Sequence, residues 1–236
     1  MATLETHVGK SIGWAVEFEP LLADVMAGRG LGRHWMELTA VLVAGAALYG
    51  AVLGMWHGAQ LSLYVALKLP LVLLLTSALS VIFAWIAARL LGLALGLGQV
   101  AVLTFLALAV ASLLLASLAP VVWLFTFCAP APGTQARTAH NLLYLLHTEF
   151  VGGCGLAGTA VLWRAMRRLD APLRSVRTVY LLWVVTYALV GGEVAWALRP
   201  FVGSVYVPVV FLREDALDGN VYEFIFTDIL PHLTLI

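Results

Sequence analysis

Long apolar stretches separated by short polar segments make up most of the chain from residue 38 onward. Five of them reach the roughly 20 residues that a membrane-spanning helix needs. Because the few charged residues gather mainly between these stretches, each stretch is predicted to form one transmembrane helix. The predicted spans are 38–57, 69–88, 100–127, 139–163 and 178–198.

Two shorter segments have the one-sided apolar pattern of helices that lie on a membrane surface. The first is residues 20–28, ahead of the first span, and the second lies in the tail after Asp218, a residue type common at helix N-termini. We therefore predict amphipathic surface helices at both ends of the chain. Their apolar stripes are Leu21, Leu22, Val25 and Met26 in the first, and Val221, Phe224, Ile225 and Ile229 in the second.

The composition agrees with this pattern, since 62% of the residues are hydrophobic, 11% are charged, and net charge is zero. Soluble domains contain about 25% charged residues. We predict an all-α polytopic membrane protein with a single domain over 1–236, and no nucleic-acid partner. It comprises a segment 1–34 with a surface helix, a five-span bundle 35–198 and a tail 199–236.

Arginine content predicts the orientation, because short cytoplasmic loops are enriched in Lys and Arg. The link between the fourth and fifth spans is the most basic, so we expect a cytoplasmic N-terminus and a tail on the outer face of a bacterial inner membrane. The first 20 residues lack the pattern of a cleaved secretory signal. The arginines of the link are Arg164, Arg167, Arg168, Arg174 and Arg177.

Three ionisable residues fall inside the predicted spans: His147, Glu149 and Glu193. Such groups are costly in a membrane and usually face protein or water. From the helical rise, His147 and Glu193 lie roughly 12 Å and 8 Å below the outer face, so we predict that they form an interhelical hydrogen bond. The alternative is that all three residues conduct protons or ions.

Glycines are concentrated in the same helices, where small residues let helix backbones approach closely. We predict that the first, fourth and fifth spans pack together through them. The alternative is chance in a chain with 21 glycines. The predicted packing residues are Gly50, Gly54, Gly58, Gly152, Gly153, Gly155, Gly158, Gly191 and Gly192.

Four histidines fall on the predicted outer side: His57, His140, His147 and His232. One interpretation is that they bind a metal ion or haem, and the other is that each bonds water, a carbonyl or a neighbour. His140 and His147 are two turns apart, about 10.5 Å, too far for one ion on one helix. Neither these histidines nor Cys128 and Cys154 have a metal-binding spacing, so lipid is the only bound molecule we expect.

The fifth span ends in Arg199, Pro200 and Phe201. Proline stops the helix, and the arginine is predicted to anchor the helix end by reaching lipid phosphate. A second interpretation is that the loop 199–215 binds a partner protein.

Short motifs over about residues 35–205 resemble bacterial membrane proteins described as Yip1-like. They are KLPLVLLLTSAL, LAPVVWLF, LLYLLHTEFVGGCGLAG and WALRPFVGS. The resemblance implies five spans, a cytoplasmic N-terminus and a non-catalytic scaffolding role. The acidic and aromatic signature that precedes the first span in that group is absent here, and no functional residue is carried over.

The chain contains no nucleophile–base pair, phosphate-binding loop or dinucleotide fingerprint, so we do not predict an enzyme. We predict a non-catalytic membrane subunit or scaffold whose partners are the lipid bilayer and other membrane subunits or further copies of itself. The alternative is a small oligomeric channel or transporter that uses His147, Glu149 and Glu193. A third interpretation is a metal- or haem-binding membrane subunit.

Overall fold

The structure, a computed structural model, describes residues 19–132, 137–203, 209–224 and 227. These residues form seven α-helices and no strand, and one 3₁₀ turn at Met55–His57 joins the second helix to the third. The helices are α1 Glu19–Met26, α2 Leu31–Gly54, α3 Ala59–Leu90, α4 Leu97–Cys128, α5 Arg137–Met166, α6 Leu173–Ala197 and α7 Val221–Phe224.

Five of the helices, α2 to α6, are long and apolar enough to cross a membrane, which confirms the five long apolar helices predicted. They extend beyond the predicted spans. Helix α3 begins at Ala59, so Lys68 and Pro70 lie inside it rather than at its entry. Helix α4 likewise continues through Pro120.

Helix α2 packs on α3 and α4, α5 packs on α4, and α6 packs on α3, whereas α5 and α6 make few contacts with each other. The prediction that the first, fourth and fifth spans pack together is therefore wrong. The face that a helix buries is the one that a neighbouring helix covers. The spacing of glycines along one helix does not show which helix that neighbour is.

Glycines allow the close approach of α2 to α3. A Cβ atom added at Gly50 would lie 2.5 Å from the Val65 carbonyl oxygen, and one at Gly54 would lie 2.6 Å from that of Leu61. Gly58 is different: its φ of 108° is a turn conformation that side chains disfavour, and nothing lies within 4 Å of an added Cβ. The prediction that Gly58 packs against another helix is wrong.

The other glycines divide in the same way. Gly158 faces the Ala107 carbonyl of α4 at 2.5 Å from an added Cβ, and Gly191 faces Thr76 of α3 at 3.4 Å. Nothing lies within 4 Å of a Cβ added at Gly152, Gly153 or Gly155. These three glycines do not pack on another of the described helices, contrary to the prediction.

Helix α1 buries Leu21, Leu22 and Val25 against the bundle, and the Gln99 side chain of α4 donates a hydrogen bond to the Val25 carbonyl at 2.8 Å. In the tail, the Asn220 side chain accepts a hydrogen bond from the Glu223 amide at 2.8 Å. Asn220, rather than Asp218, therefore caps α7. Ile225 and Ile229 lie outside the described residues.

Candidate functional site

Polar side chains share one layer of the bundle, on the side where α2 ends and α3 begins. Lys68 is nine residues into α3 and His147 ten residues into α5, which places both about 14 Å along their helices. Tyr49 of α2 contacts His147 in this layer. Tyr49 and Lys68 are 0% exposed and His147 is 4% exposed.

Tyr49 and His147 form a buried hydrogen bond, with 3.0 Å between the Tyr49 hydroxyl oxygen and His147 Nδ1. When the imidazole carries its proton on Nε2, the hydroxyl donates to Nδ1. The rings meet edge to face at 5.8 Å between centroids, and the buried thiol of Cys154 lies nearby. This bond links α2 to α5, two helices that make few other contacts.

His147 is thus bonded to Tyr49 rather than to Glu193, and the predicted pairing is wrong. Among the described residues, no hydrogen bond or ion pair joins His147 to Glu193. The depth estimate placed the two residues in one layer, but α5 and α6 diverge. Nothing in the sequence singles out Tyr49, which lies 98 positions from His147.

Glu193 lies instead beside the tail. The hydroxyl of Tyr222 donates a hydrogen bond to the Leu189 carbonyl of α6, one turn before Glu193. Burial, together with the negative charge of Glu193, raises the pKa of Tyr222. Gly192 gives the ring room, because an added Cβ would lie 3.1 Å from the Tyr222 hydroxyl.

Lys68, which immediately precedes the predicted span 69–88, is a fully buried cation inside α3. Its Nζ donates a hydrogen bond to the Pro200 carbonyl at 3.1 Å. It also lies 5.9 Å and 5.2 Å from the ring centroids of Phe201 and Phe211, within the range of cation–π attraction. Lys68 therefore holds the segment after α6 against α3. The mostly apolar run 61–67, which continues the helix ahead of Lys68, was the available signal.

Arg199 also bonds inside the protein. Its guanidinium donates hydrogen bonds to the Trp196 carbonyl at 2.8 Å and to the Asp215 carbonyl at 3.0 Å, and lies 3.9 Å from the Trp196 ring centroid. With its side chain only 18% exposed, Arg199 is not free to reach lipid phosphate as predicted. Pro200 and Phe201 likewise contact Lys68, so all three residues make contacts within the chain. That the loop 199–215 binds a partner stays a prediction.

His57 and His140 lie beside the same two residues, Trp56 and Gly203, but His147 does not join them. The ring of His140 lies 2.9 Å, through Nε2, from the Gly203 carbonyl, with Trp56 beside it at 5.6 Å between centroids, whereas His147 bonds Tyr49. His57 packs edge to face on Trp56, and His232 lies outside the described residues. Over the described ranges, no three His, Cys, Asp or Glu side chains are grouped to hold a metal ion.

Glu149 faces away from the bundle. Its side chain is exposed, as are Gly152 and Gly153 on the next turn, and Leu156 is 71% exposed. These four residues lie on one side of α5, since they recur at steps of three and four. A carboxylate and two glycines thus lie together on the exposed side of α5.

Comparison of the chain with protein-family models, with curated proteins and with solved structures finds no match. The resemblance to Yip1-like proteins therefore remains a prediction.

Proposed function

We propose that this chain is a non-catalytic membrane subunit or scaffold. It binds a transmembrane helix of another protein on the side of α5 that faces away from the bundle. We define this surface, the α5 face, by Glu149 and Gly153. The exposed Glu149 within a candidate span is the observation that carries the proposal.

A carboxylate that faces lipid is costly and is normally paired. Within the chain, Glu149 has no hydrogen bond or ion pair to any described residue, so its partner is supplied from outside. The open glycines on the same side let another backbone approach closely. A helix with a hydrogen-bond donor or a basic residue at the depth of Glu149 meets both requirements.

The proposed setting is a bacterial inner membrane crossed by α2 to α6. The arginine-rich link between α5 and α6 faces the cytoplasm, and the tail lies on the outer side with the Lys68 layer. In a variant without Cys128 and Cys154, a cysteine at Ala131 should react with a membrane-impermeant thiol reagent in intact cells, and one at Ser175 should not. The opposite pattern reverses the orientation.

The channel alternative loses its main support. The three residues it relies on point to different places: His147 towards Tyr49, Glu149 outwards and Glu193 towards Tyr222. The metal or haem interpretation lacks a group of three possible ligands among the described residues.

Replacement of Gly153 by Leu tests the α5 face. The side chain meets open space, so folding is preserved, but a partner backbone is kept away. We expect the protein extracted in mild detergent to carry a membrane subunit, or a second copy, at fixed stoichiometry by native mass spectrometry. Gly153→Leu and Glu149→Leu should lose that subunit.

Gly155→Leu is the matched control, because a Cβ added at Gly155 also has nothing within 4 Å but Gly155 lies about 200° from Gly153 around the helix. It should keep the subunit. A wild-type protein that is extracted alone, or a subunit retained by Gly153→Leu, contradicts the proposal.

A further inference from the structure

A groove follows the surface of the bundle between α5 and α6, with α4 as its floor. It exists because α5 and α6 diverge while both pack on other helices. Gly152 and Gly155 keep the groove open on the α5 side. Leu162 and Trp183 line the end of the groove that lies nearer the link between α5 and α6, and the lining is almost entirely apolar.

The length of the groove matches one leaflet of a bilayer. Gly152 and Leu162 are ten residues apart on α5, about 15 Å along the helix, and the hydrocarbon core of a bilayer is about 30 Å thick. Its empty volume is about 730 Å³, which includes space open to the surface of the bundle.

Two aromatic rings meet just beyond this end of the groove, on the side of the link between α5 and α6. Trp163 of α5 and Tyr180 of α6 lie 5.1 Å apart between ring centroids. Trp and Tyr are the residues enriched where hydrocarbon meets the polar headgroups. The pair therefore marks the level at which a lipid in the groove would pass from its acyl chain to its headgroup.

An arginine stands one turn beyond each ring. Arg167 follows Trp163 by four residues, and the Arg167 amide donates a helical hydrogen bond to the Trp163 carbonyl at 3.0 Å. Arg177 precedes Tyr180 by three residues on α6. Residues at these spacings share a helix face. Both arginines are exposed and have no ion pair with a described residue, whereas the neighbouring Arg168 is paired with Glu19.

We propose that this groove binds an anionic phospholipid, with one acyl chain between α5 and α6 and the phosphate held by Arg167 and Arg177. From Leu162 to Arg167 is five residues, about 7.5 Å, which is the thickness of a headgroup layer in a bilayer about 40–45 Å thick overall. Guanidinium groups bind phosphate by paired hydrogen bonds. The inference rests on the proposed membrane location but not on the proposed protein partner.

The test is a titration of the detergent-purified protein with phosphatidylglycerol or phosphatidylcholine, followed by native mass spectrometry. The wild type should bind one phosphatidylglycerol more tightly than phosphatidylcholine. The double variant Arg167→Gln/Arg177→Gln should weaken phosphatidylglycerol binding by roughly fivefold per arginine, as expected from about 1 kcal/mol per basic residue at an anionic surface. Its phosphatidylcholine binding should not change.

Arg164→Gln/Arg174→Gln is the control for charge. It removes the same charge from the same link, but these side chains are turned by at least about 100° from Trp163 and Tyr180 around their helices. It should leave the affinity for phosphatidylglycerol within twofold of wild type. Equal losses in both double variants, or a loss in neither, overturn the proposal.

Gly155→Leu fills the groove directly and should weaken binding of both lipids several-fold, whereas Gly153→Leu should not. Unchanged lipid binding by Gly155→Leu also overturns the proposal. For the protein partner the expectation is reversed: Gly153→Leu should lose it and Gly155→Leu should keep it. If the partner proposal fails, the lipid measurement can therefore still be interpreted. Both proposals rest on a chain that spans the membrane. If alkaline carbonate releases the chain from membranes, both are wrong.

Discussion

Glycines at three- and four-residue steps occur in both α2 and α5, yet their surroundings are opposite. In α2, Gly50 and Gly54 are buried against carbonyl groups of α3, while in α5, Gly152 and Gly153 face open space. The same contrast holds for charge: Lys68 is bonded inside the protein and Glu149 is exposed. The glycines of α2 and Lys68 of α3 thus contact other parts of this chain, whereas Glu149 and the glycines beside it on α5 are available to another molecule.

The largest expected effect comes from giving each set of glycines a side chain. Gly50→Leu should destabilise the fold by about 3 kcal/mol or more, because overpacking against a backbone carbonyl forces α2 and α3 apart. Gly153→Leu should stabilise the purified chain by about 1 kcal/mol, since leucine favours a helix over glycine. Denaturant unfolding in detergent measures both, and equal destabilisation by the two substitutions would abolish the distinction.

The two charges provide the next comparison. Lys68→Met leaves the Pro200 carbonyl without its donor, a loss of about 1–3 kcal/mol, and the segment after α6 should detach from α3. Trypsin should then cleave after Arg213 faster than in the wild type. Glu149→Leu should leave this cleavage rate unchanged, because Glu149 contributes no internal bond. A Lys68→Met protein with wild-type cleavage would show that the tail is held by other contacts.

Two tyrosines near the same end of the bundle allow a smaller effect to be measured. Tyr49→Phe removes the hydrogen bond to His147 and should lower the free energy of unfolding by about 1 kcal/mol. Tyr144→Phe is the control, since Tyr144 is 59% exposed on α5 and should change stability by less than about 0.5 kcal/mol. If Tyr49→Phe is also silent, the α2–α5 contact does not depend on the bond.

The smallest effect concerns acidification of the segment after α6. Burial alone would raise the pKa of Asp215, but hydrogen bonds from Arg213 and the positive charges of Arg213 and Arg199 hold it below its usual value. A lowered pKa in the folded state means stability that is present above the ordinary aspartate pKa and lost as pH falls through the lower value. Hydrogen exchange of residues 209–217 should therefore increase below about pH 4.

Asp215→Asn removes the titrating group and should make that exchange independent of pH in this range, apart from the intrinsic chemistry. Asp218→Asn is the control, because Asp218 makes no ion pair with a described residue. The Asp218→Asn profile should match that of the wild type. If the Asp215→Asn profile matches it too, the Asp215 carboxylate does not stabilise this segment.

Hydropathy alone determined the five long helices, because an uninterrupted apolar run of 20 or more residues has few other stable forms. It also indicated the short helix α1, but the apolar residues predicted to face a membrane surface are buried against the bundle. It misplaced the beginning of α3, because one lysine was taken as a boundary. A lysine can lie within an apolar helix when a carbonyl and aromatic rings receive its ammonium group, and those groups are 132 positions or more along the chain.

Only the tertiary structure decided which neighbour each residue meets. Helical periodicity showed that Glu149 shares a side of α5 with two glycines, but whether that side faces another helix depends on how α4, α5 and α6 pack. The Tyr49–His147 bond, the Lys68 contacts and the groove between α5 and α6 depend on the same packing. Helices of similar apolar composition can be arranged in several ways, and the choice rests on contacts between distant residues that no local pattern records.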